Sequence, residues 1–147
     1  MGRLTLPRSG LVYLDASPVI YSVEKIEPYY SLLEPMWLAA RAGDFILVSS
    51  QLLLLEALVK PTRDGDTVLE QSFRDLLLTS HEVQLITISL PILESAIRLR
   101  AATRIKTPDA IHAATALQSG CNLFITNDKG FSRVPSLPSV ILSDLLP

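Results

Sequence analysis

Short apolar runs rich in β-branched and aromatic residues alternate along this 147-residue chain with segments of helical periodicity. The runs predict five strands, with the sequences LVYL, FILVSS, VQLITI, NLFIT and SVIL. Consecutive parallel strands need a crossover, and helices that supply it cover both faces of the sheet. The alternation therefore predicts an α/β fold, a three-layer α/β/α sandwich with a central, mostly parallel sheet. The length fits one domain over residues 1–147.

Residues that begin and end helices divide the segments between the strands. Ser17 before Pro18 predicts a helix N-cap, as do Ser89 shortly before Pro91 and Thr107 before Pro108. The helix that follows Thr107 is expected to run to Gln118, with Gly120 closing it.

Prolines and polar residues predict interruptions elsewhere in the chain. A helix from about Tyr29 to Ala42 should be broken or kinked at Pro35, and the helix QLLLLEALVKP should end before Pro61. The segment TRDGD is expected to be a loop, followed by an amphipathic helix over TVLEQSFRDLLLTS.

Composition limits the environment and the partners. The apolar stretch from Phe45 to Val59 contains four polar residues, so we expect no membrane helix, and the absence of a signal-like start favours the cytoplasm. The single cysteine, Cys121, excludes an internal disulfide and a cysteine-rich zinc site. Because the net charge is -2, any contact with nucleic acid must rely on local basic residues. A mean hydropathy of +0.34 indicates surface reserved for a partner.

Four acidic residues stand where such a fold would bring them together. Asp15 and Asp128 each follow a predicted strand, whereas Glu56 and Asp109 lie within predicted helices. The carboxyl ends of parallel strands border the crevice in which open α/β sheets bind their ligands. We therefore expect the four carboxylates to converge at one end of the sheet.

Each acid also has a structural interpretation. Asp15 is placed to satisfy backbone amides at a turn, Asp109 to interact with a helix dipole, and Asp128 to form a tight turn with Lys129 and Gly130. Glu56 is harder to explain in this way because it is flanked by leucine, alanine and valine on both sides. A carboxylate buried there needs a cation, a proton or a hydrogen-bond partner.

Taken together, the four acids predict a metal site. Like charges that close cannot all remain ionised without a cation, and an all-oxygen set without cysteine favours Mg²⁺ or Mn²⁺ over zinc. Such ions bind phosphate oxygens and lower the pKa of an attacking water. The chemistry that this site favours is hydrolysis of a phosphodiester.

Three blocks of sequence resemble the PIN-domain family, particularly the VapC-type toxins of bacterial toxin-antitoxin pairs. They are YLDASPVIY, SSQLLLLEALVKPTRDGD and KTPDAIHAATALQSGCNLFITNDKGF, and the match runs from Leu11 to about Leu142. The resemblance places the family's acidic metal-binding quartet on Asp15, Glu56, Asp109 and Asp128. It also places the small hydroxyl residue after the first acid at Ser17, and the polar residues before the last acid at Thr126 and Asn127.

The resemblance implies a Mg²⁺- or Mn²⁺-dependent endoribonuclease that acts as a toxin. Asp15, Asp109 and Asp128 would be direct or water-mediated metal ligands, and Glu56 a ligand or a base that orients the water. Ser17, Thr126 and Asn127 would hold carboxylates or waters in place. The resemblance further implies an RNA substrate, a homodimer, and a cognate antitoxin whose segment covers the active-site groove.

Two other classes of protein compete with this interpretation. A haloacid-dehalogenase-like phosphatase also has an Asp after its first strand, but usually a second Asp two residues later, where this chain has Ser17. A non-catalytic module would keep the fold and act by binding RNA or a partner. Other residues are left without a role: His112, three positions after Asp109, and a basic run before that helix, Arg98, Arg100, Arg104 and Lys106.

Overall fold

The sheet has five strands, all parallel, in the computed structural model, which describes residues 2–147. The strands lie in the order β3-β2-β1-β4-β5. Their bounds are β1 Leu11–Leu14, β2 Ile46–Ser50, β3 Val83–Ile86, β4 Leu123–Thr126 and β5 Ser139–Ile141. The five predicted strands are therefore confirmed, each within two residues of its predicted ends.

Within residues 2–147, six α-helices flank the sheet. They are α1 Ala16–Val23, α2 Tyr29–Arg41, α3 Leu52–Asp64, α4 Thr67–Arg74, α5 Leu90–Thr103 and α6 Thr107–Ser119. A π-helical segment, Asp75–Thr79, continues α4, and 3-10 turns follow β4 and β5. The crossover from β4 to β5 contains only such a turn, Lys129–Arg133, so helices do not separate every pair of strands as the sequence suggested. None of the helices in residues 2–147 is long and apolar enough to cross a membrane.

Alternate residues of the strands point to opposite faces of the sheet, and each face has its own core. Val12 and Leu14 join a core that includes buried residues of α1, α2 and α3. Tyr13 between them joins the core formed with α5 and α6. A sheet that buries both faces against helices is the predicted three-layer α/β/α sandwich.

The connections reverse direction at the centre of the sheet. From β1 the chain proceeds through β2 to β3 on one side, whereas β4 lies on the other side of β1 and leads to β5. The carboxyl ends of β1 and β4 thus form a topological switch point, where the crevices of open α/β sheets bind ligands. The Asp15 N–H continues this pairing by donating to the carbonyl of Ile125 at 3.2 Å.

Two of the predicted helix ends are confirmed. Ser89 caps α5, its hydroxyl accepting from the Ile92 N–H at 3.4 Å, and Gly120 closes α6 with a φ of 68°. The other two N-caps are wrong by one or two residues: Asp15 rather than Ser17 caps α1, and α6 begins at Thr107 itself. The prediction at α1 was wrong because Asp15 and Ser17 are both suitable N-cap residues, and Asp15 lies closer to the end of β1.

The predicted breaks at proline are wrong, because both helices continue through their prolines. Pro35 lies inside α2, where it removes a hydrogen bond to the Ser31 carbonyl; both residues are exposed, so water can hydrate that carbonyl. Pro61 lies inside α3, which continues to Asp64. Leu53, Ala57 and Pro61 form one buried stripe at four-residue spacing, and its packing outweighs the lost backbone bond.

The predicted TRDGD loop is also largely helix. Only Gly65, with a left-handed φ of 67°, and Asp66 separate α3 from α4. The Asp66 carboxylate caps α4 by accepting from the Leu69 N–H at 3.0 Å. The amphipathic helix expected after this loop is present as α4 and its π-helical continuation.

Candidate active site

Asp15 is the most buried of the four acids, with 8% of its surface exposed. It follows β1 directly, and one carboxylate oxygen accepts from the Ser17 N–H at 3.0 Å. The other accepts from the Thr126 hydroxyl at 2.5 Å. Burial raises the pKa of this carboxyl, and the nearby His112 and the two hydrogen bonds counteract that rise. Asp15 is thus both a helix cap and a carboxylate held in a fixed orientation.

The Thr126 hydroxyl links the acids that follow the two central strands. It donates to Asp15 and accepts from the Asp128 N–H at 3.0 Å. The Asp128 side chain is exposed, and its carboxylate also accepts from the Gly130 N–H at 2.8 Å. Asp128 therefore forms the predicted turn and is also linked to Asp15 through Thr126.

Asn127 fastens the end of β4 to α1 and to the C-terminal segment. Its N–H donates to the Ser17 hydroxyl at 3.0 Å, and its side-chain amide donates to the Tyr21 hydroxyl at 3.0 Å. The amide oxygen accepts from the Ser143 N–H at 2.8 Å. Ser17 and Asn127 thus brace the backbone around the acids and do not bond the acids through their side chains.

Asp109 lies in the first turn of α6 and is about half buried. Burial, followed by the negative charges of Asp128 and Asp15, raises the pKa of its carboxyl to about 6. Glu56 contributes in the same direction and His112 in the opposite one. The negative charges of the other three acids therefore all act on the Asp109 carboxylate, and each of them disfavours its ionised form.

Glu56 has a partner that the sequence did not indicate. On α3, its carboxylate meets the His112 imidazole Nε2 of α6 at 2.5 Å. The other ring nitrogen, Nδ1, meets the Tyr13 hydroxyl of β1 at 2.7 Å. The contact between His112 and Glu56 was not predicted from the sequence, nor was any role for Tyr13. The alternation of β1 was the available signal, because it puts Tyr13 and Asp15 on the same face of the strand.

The basic run before α6 contributes to the backbone turn there. The Arg100 guanidinium donates to the Ile105 carbonyl at 3.0 Å, which fixes the connection between α5 and α6. Arg104 ends α5 in a left-handed conformation, with a φ of 61°. At least one member of the run is therefore structural.

The chemistry of the four acids fits a hard divalent cation. Within residues 2–147, however, no group of three or more histidine, cysteine, aspartate and glutamate side chains is arranged so that it could hold a metal ion. Burial, and then the negative charges of Asp128 and Asp15, raise the pKa of Asp109, and a cation would relieve the repulsion between the carboxylates. Mg²⁺ retains several of its waters and needs only one or two protein carboxylates as direct ligands. The residues suit such an ion without forming a closed cage.

Fold and site together define a class: a three-layer α/β/α domain with acids at the switch point of a parallel sheet. The sequence matches the family model of the PIN domain over residues 12–137. The chain therefore belongs to the PIN-domain family. A comparison with curated proteins finds no match.

Solved structures share this fold. VapBC2 from Rickettsia felis, bound to a DNA fragment from its promoter, aligns with a TM-score of 0.70 and 21% identity over 89% of this chain and 98% of that chain. A toxin-antitoxin complex from Klebsiella pneumoniae aligns with a TM-score of 0.64 and 22% identity over 88% and 95%. FitAcB from Neisseria gonorrhoeae aligns with a TM-score of 0.61 and 16% identity over 87% and 95%.

Proposed function

We propose that this protein is a Mg²⁺- or Mn²⁺-dependent endoribonuclease, the VapC-type toxin of a toxin-antitoxin pair. The observation that carries the proposal is the set of four acids around the switch point, where burial and neighbouring carboxylates raise the pKa of Asp109 to about 6. Membership of the PIN-domain family supports the same conclusion, because its members are in general nucleases.

Asp15, Asp109 and Asp128 would hold the ion directly or through water, with Glu56 as a further ligand or as the base that orients the attacking water. When bound, the ion polarises the phosphate and lowers the pKa of a water. The Thr126 hydroxyl keeps Asp15 and the Asp128 backbone in a fixed relation. The bond from the Asn127 N–H to the Ser17 hydroxyl holds the end of β4 against α1, which would keep Asp15 and Asp128 near each other.

The surface is suited to partners. Several large apolar side chains of α3 and α5 are exposed: Leu55, Val59, Leu90, Leu93 and Ile97. Such groups favour burial against another chain. One of the structures named above, that from Klebsiella pneumoniae, is a toxin-antitoxin complex. We propose a cognate antitoxin as the partner of this chain, and a homodimer as its assembly.

The phosphatase alternative is disfavoured by what surrounds Ser17. A second Asp would be needed there as general acid, whereas the Ser17 hydroxyl accepts the Asn127 N–H and connects two elements. Each Asp15 carboxylate oxygen accepts one hydrogen bond, one from the Ser17 N–H and the other from the Thr126 hydroxyl. These contacts suit a fixed carboxylate better than a nucleophile.

An Asp15→Asn variant tests the proposal. Asparagine keeps an oxygen for the Ser17 N–H and can act as a helix N-cap, so we expect the fold to survive. We expect RNA cleavage in Mg²⁺ to fall at least ~100-fold, the order that loss of one charge-stabilising group costs an enzyme. Cleavage by the wild type should also stop in excess EDTA.

The readout is the set of new RNA ends, sequenced from cells that briefly express each form, together with growth. The matched control is Asp44→Asn, because Asp44 is an exposed aspartate that precedes β2, at the opposite end of the sheet from the acids. Unchanged cleavage and growth inhibition in the Asp15→Asn variant would rule out catalysis by this quartet. RNA binding without cleavage by the wild type would favour the non-catalytic module.

A further inference from the structure

His112 is a buried polar side chain to which the proposed function gives no task. It is 1% exposed and lies on α6, between Glu56 of α3 and Tyr13 of β1. A buried imidazole without partners would cost several kcal/mol, on the order of the penalty for an unpaired polar group. Here both ring nitrogens have a partner, so the three side chains form one continuous hydrogen-bonded chain.

The Glu56 carboxylate can only accept, so it fixes the direction of its bond to His112, whereas the Tyr13 hydroxyl can donate or accept. Burial raises the pKa of the Tyr13 phenol far above its usual range, so the hydroxyl stays protonated and can donate. If it donates to Nδ1 of a neutral imidazole, the proton of that ring is on Nε2. The Nε2–H then donates to the Glu56 carboxylate, which is an acceptor. Because the Tyr13 hydroxyl can also accept, Nδ1 has a partner whether or not it carries a proton.

Tyr13 is a rigid anchor for this chain of hydrogen bonds. It is fully buried in the central strand, and its ring stacks on Phe124 with centroids 5.0 Å apart and planes 5° apart. Asp15 comes two residues later, directly after the same strand. The same rigid element therefore places Asp15 directly, and places Glu56 through His112.

We propose that His112 is a positioning residue, held by Tyr13, that fixes the Glu56 carboxylate at the acidic crevice for cation binding. The inference rests on the proposed function, because it assigns Glu56 to the same cation. Without the imidazole, the partly exposed Glu56 side chain would be free to take other rotamers and turn towards water. The ion would then lose an oriented ligand or an oriented water.

Three variants of the full chain test this inference. His112→Leu removes the donor to Glu56, His112→Gln keeps an amide donor, and Tyr13→Phe removes only the anchoring hydroxyl. Electron paramagnetic resonance of free Mn²⁺ measures the affinity of each variant for the ion. We expect the affinity of His112→Leu to be about 10- to 100-fold lower than that of the wild type, the usual effect of losing a group that orients a ligand. His112→Gln should recover part of the affinity, and Tyr13→Phe should lose less than His112→Leu.

His81→Gln is the matched control, since His81 is the other histidine of the chain and is exposed. Thermal unfolding establishes which variants are folded at the assay temperature. Lower melting temperatures with the Mn²⁺ affinity of the wild type would show that His112 serves core packing only, and would overturn the inference. If His112→Leu does not fold, His112→Gln and Tyr13→Phe decide by the same criterion.

RNA cleavage by the wild type separates this inference from the proposed function. Wild type that binds Mn²⁺ but cuts no RNA overturns the nuclease proposal, while the Mn²⁺ affinities of the variants still decide the role of His112. Wild type that cuts RNA, with His112→Leu binding Mn²⁺ equally well, overturns only the positioning role. Wild type that binds no Mn²⁺ overturns both.

Discussion

At the scale of the residue, the acids differ in what holds them. Asp15 accepts two hydrogen bonds and Glu56 is held by His112. Asp109 is placed by its helix, and burial, followed by the neighbouring carboxylates, raises its pKa. The sequence indicated Glu56 as the acid most in need of a cation. Its imidazole partner removes much of that need, and the uncompensated charge is found instead around Asp109.

The raised pKa of Asp109 predicts how the stability of the metal-free protein depends on pH. The folded carboxyl, with a pKa of about 6 against an ordinary 3.8, holds its proton more tightly than the unfolded one. This contribution to stability is fully present below about pH 4 and is lost as the pH rises through about 6. Asp109→Asn cannot ionise, so at pH 7.5 it should be more stable than the wild type by about 1 kcal/mol, after discounting for the exposed half of the side chain.

Urea unfolding in EDTA at pH 4 and at pH 7.5 measures this difference. The advantage of Asp109→Asn should be present at the higher pH and vanish at the lower one. Asp44→Asn, which changes an exposed aspartate, should show no such dependence. An equal advantage at both pH values would show that the charge of Asp109 is not destabilised by its surroundings.

At the scale of the element, local chemistry predicted one end of α5 and one end of α6, whereas exposure and packing decided what happens at two prolines. Ser89 and Gly120 act within one turn of the backbone, so their effect is visible in the sequence. Pro35 and Pro61 were expected to interrupt helices for an equally local reason. The helices continue because one proline faces water and the other completes a buried stripe, and neither fact follows from neighbouring residues.

Substitution by alanine should destabilise the protein more at Gly10, in the turn into β1, than at Gly65, between α3 and α4. Gly10 and Gly65 both have positive φ angles, 83° and 67°. A Cβ at Gly10 would lie 2.0 Å from the side-chain oxygen of Asn122, which accepts from the Leu11 N–H, whereas a Cβ at Gly65 meets nothing within 4 Å. Gly65→Ala should cost about 1 kcal/mol through its backbone alone. Gly10→Ala should cost about 2–3 kcal/mol, because Asn122 must also move and give up its hydrogen bond.

Chemical denaturation of the two alanine variants gives both values under the same conditions. Gly65→Ala serves as the control for the backbone conformation, so the excess at Gly10 reports the steric conflict with Asn122. Equal losses of stability would mean that Asn122 adapts without cost.

At the scale of the whole molecule, the order of strands is what gathers the site. Asp15 and Asp128 are far apart in the chain and become neighbours because β4 pairs with β1, not with β3. The sequence predicted convergence from the general rule that strand ends border a crevice. It could not predict which strands pair, and so the bond from Thr126 to Asp15 and the chain from Tyr13 through His112 to Glu56 were found only in the structure. Both depend on the packing of elements roughly a hundred residues apart.

This arrangement predicts that a divalent ion stabilises the fold as a whole. The four acids belong to separate parts of the chain, the ends of β1 and β4 and the helices α3 and α6, and they come together only in the folded state. An ion that binds the folded state alone adds stability that grows with the logarithm of its concentration, about 2.7 kcal/mol at 100 times its Kd. Mn²⁺ should therefore raise the unfolding midpoint of the wild type in both heat and urea, by an amount that increases with the Mn²⁺ concentration.

Two variants test where the ion binds. In Asp15→Asn the increase should be much smaller, while Asp44→Asn should respond as the wild type does. Equal stabilisation of Asp15→Asn and wild type would place the bound ion away from the crevice at the ends of β1 and β4.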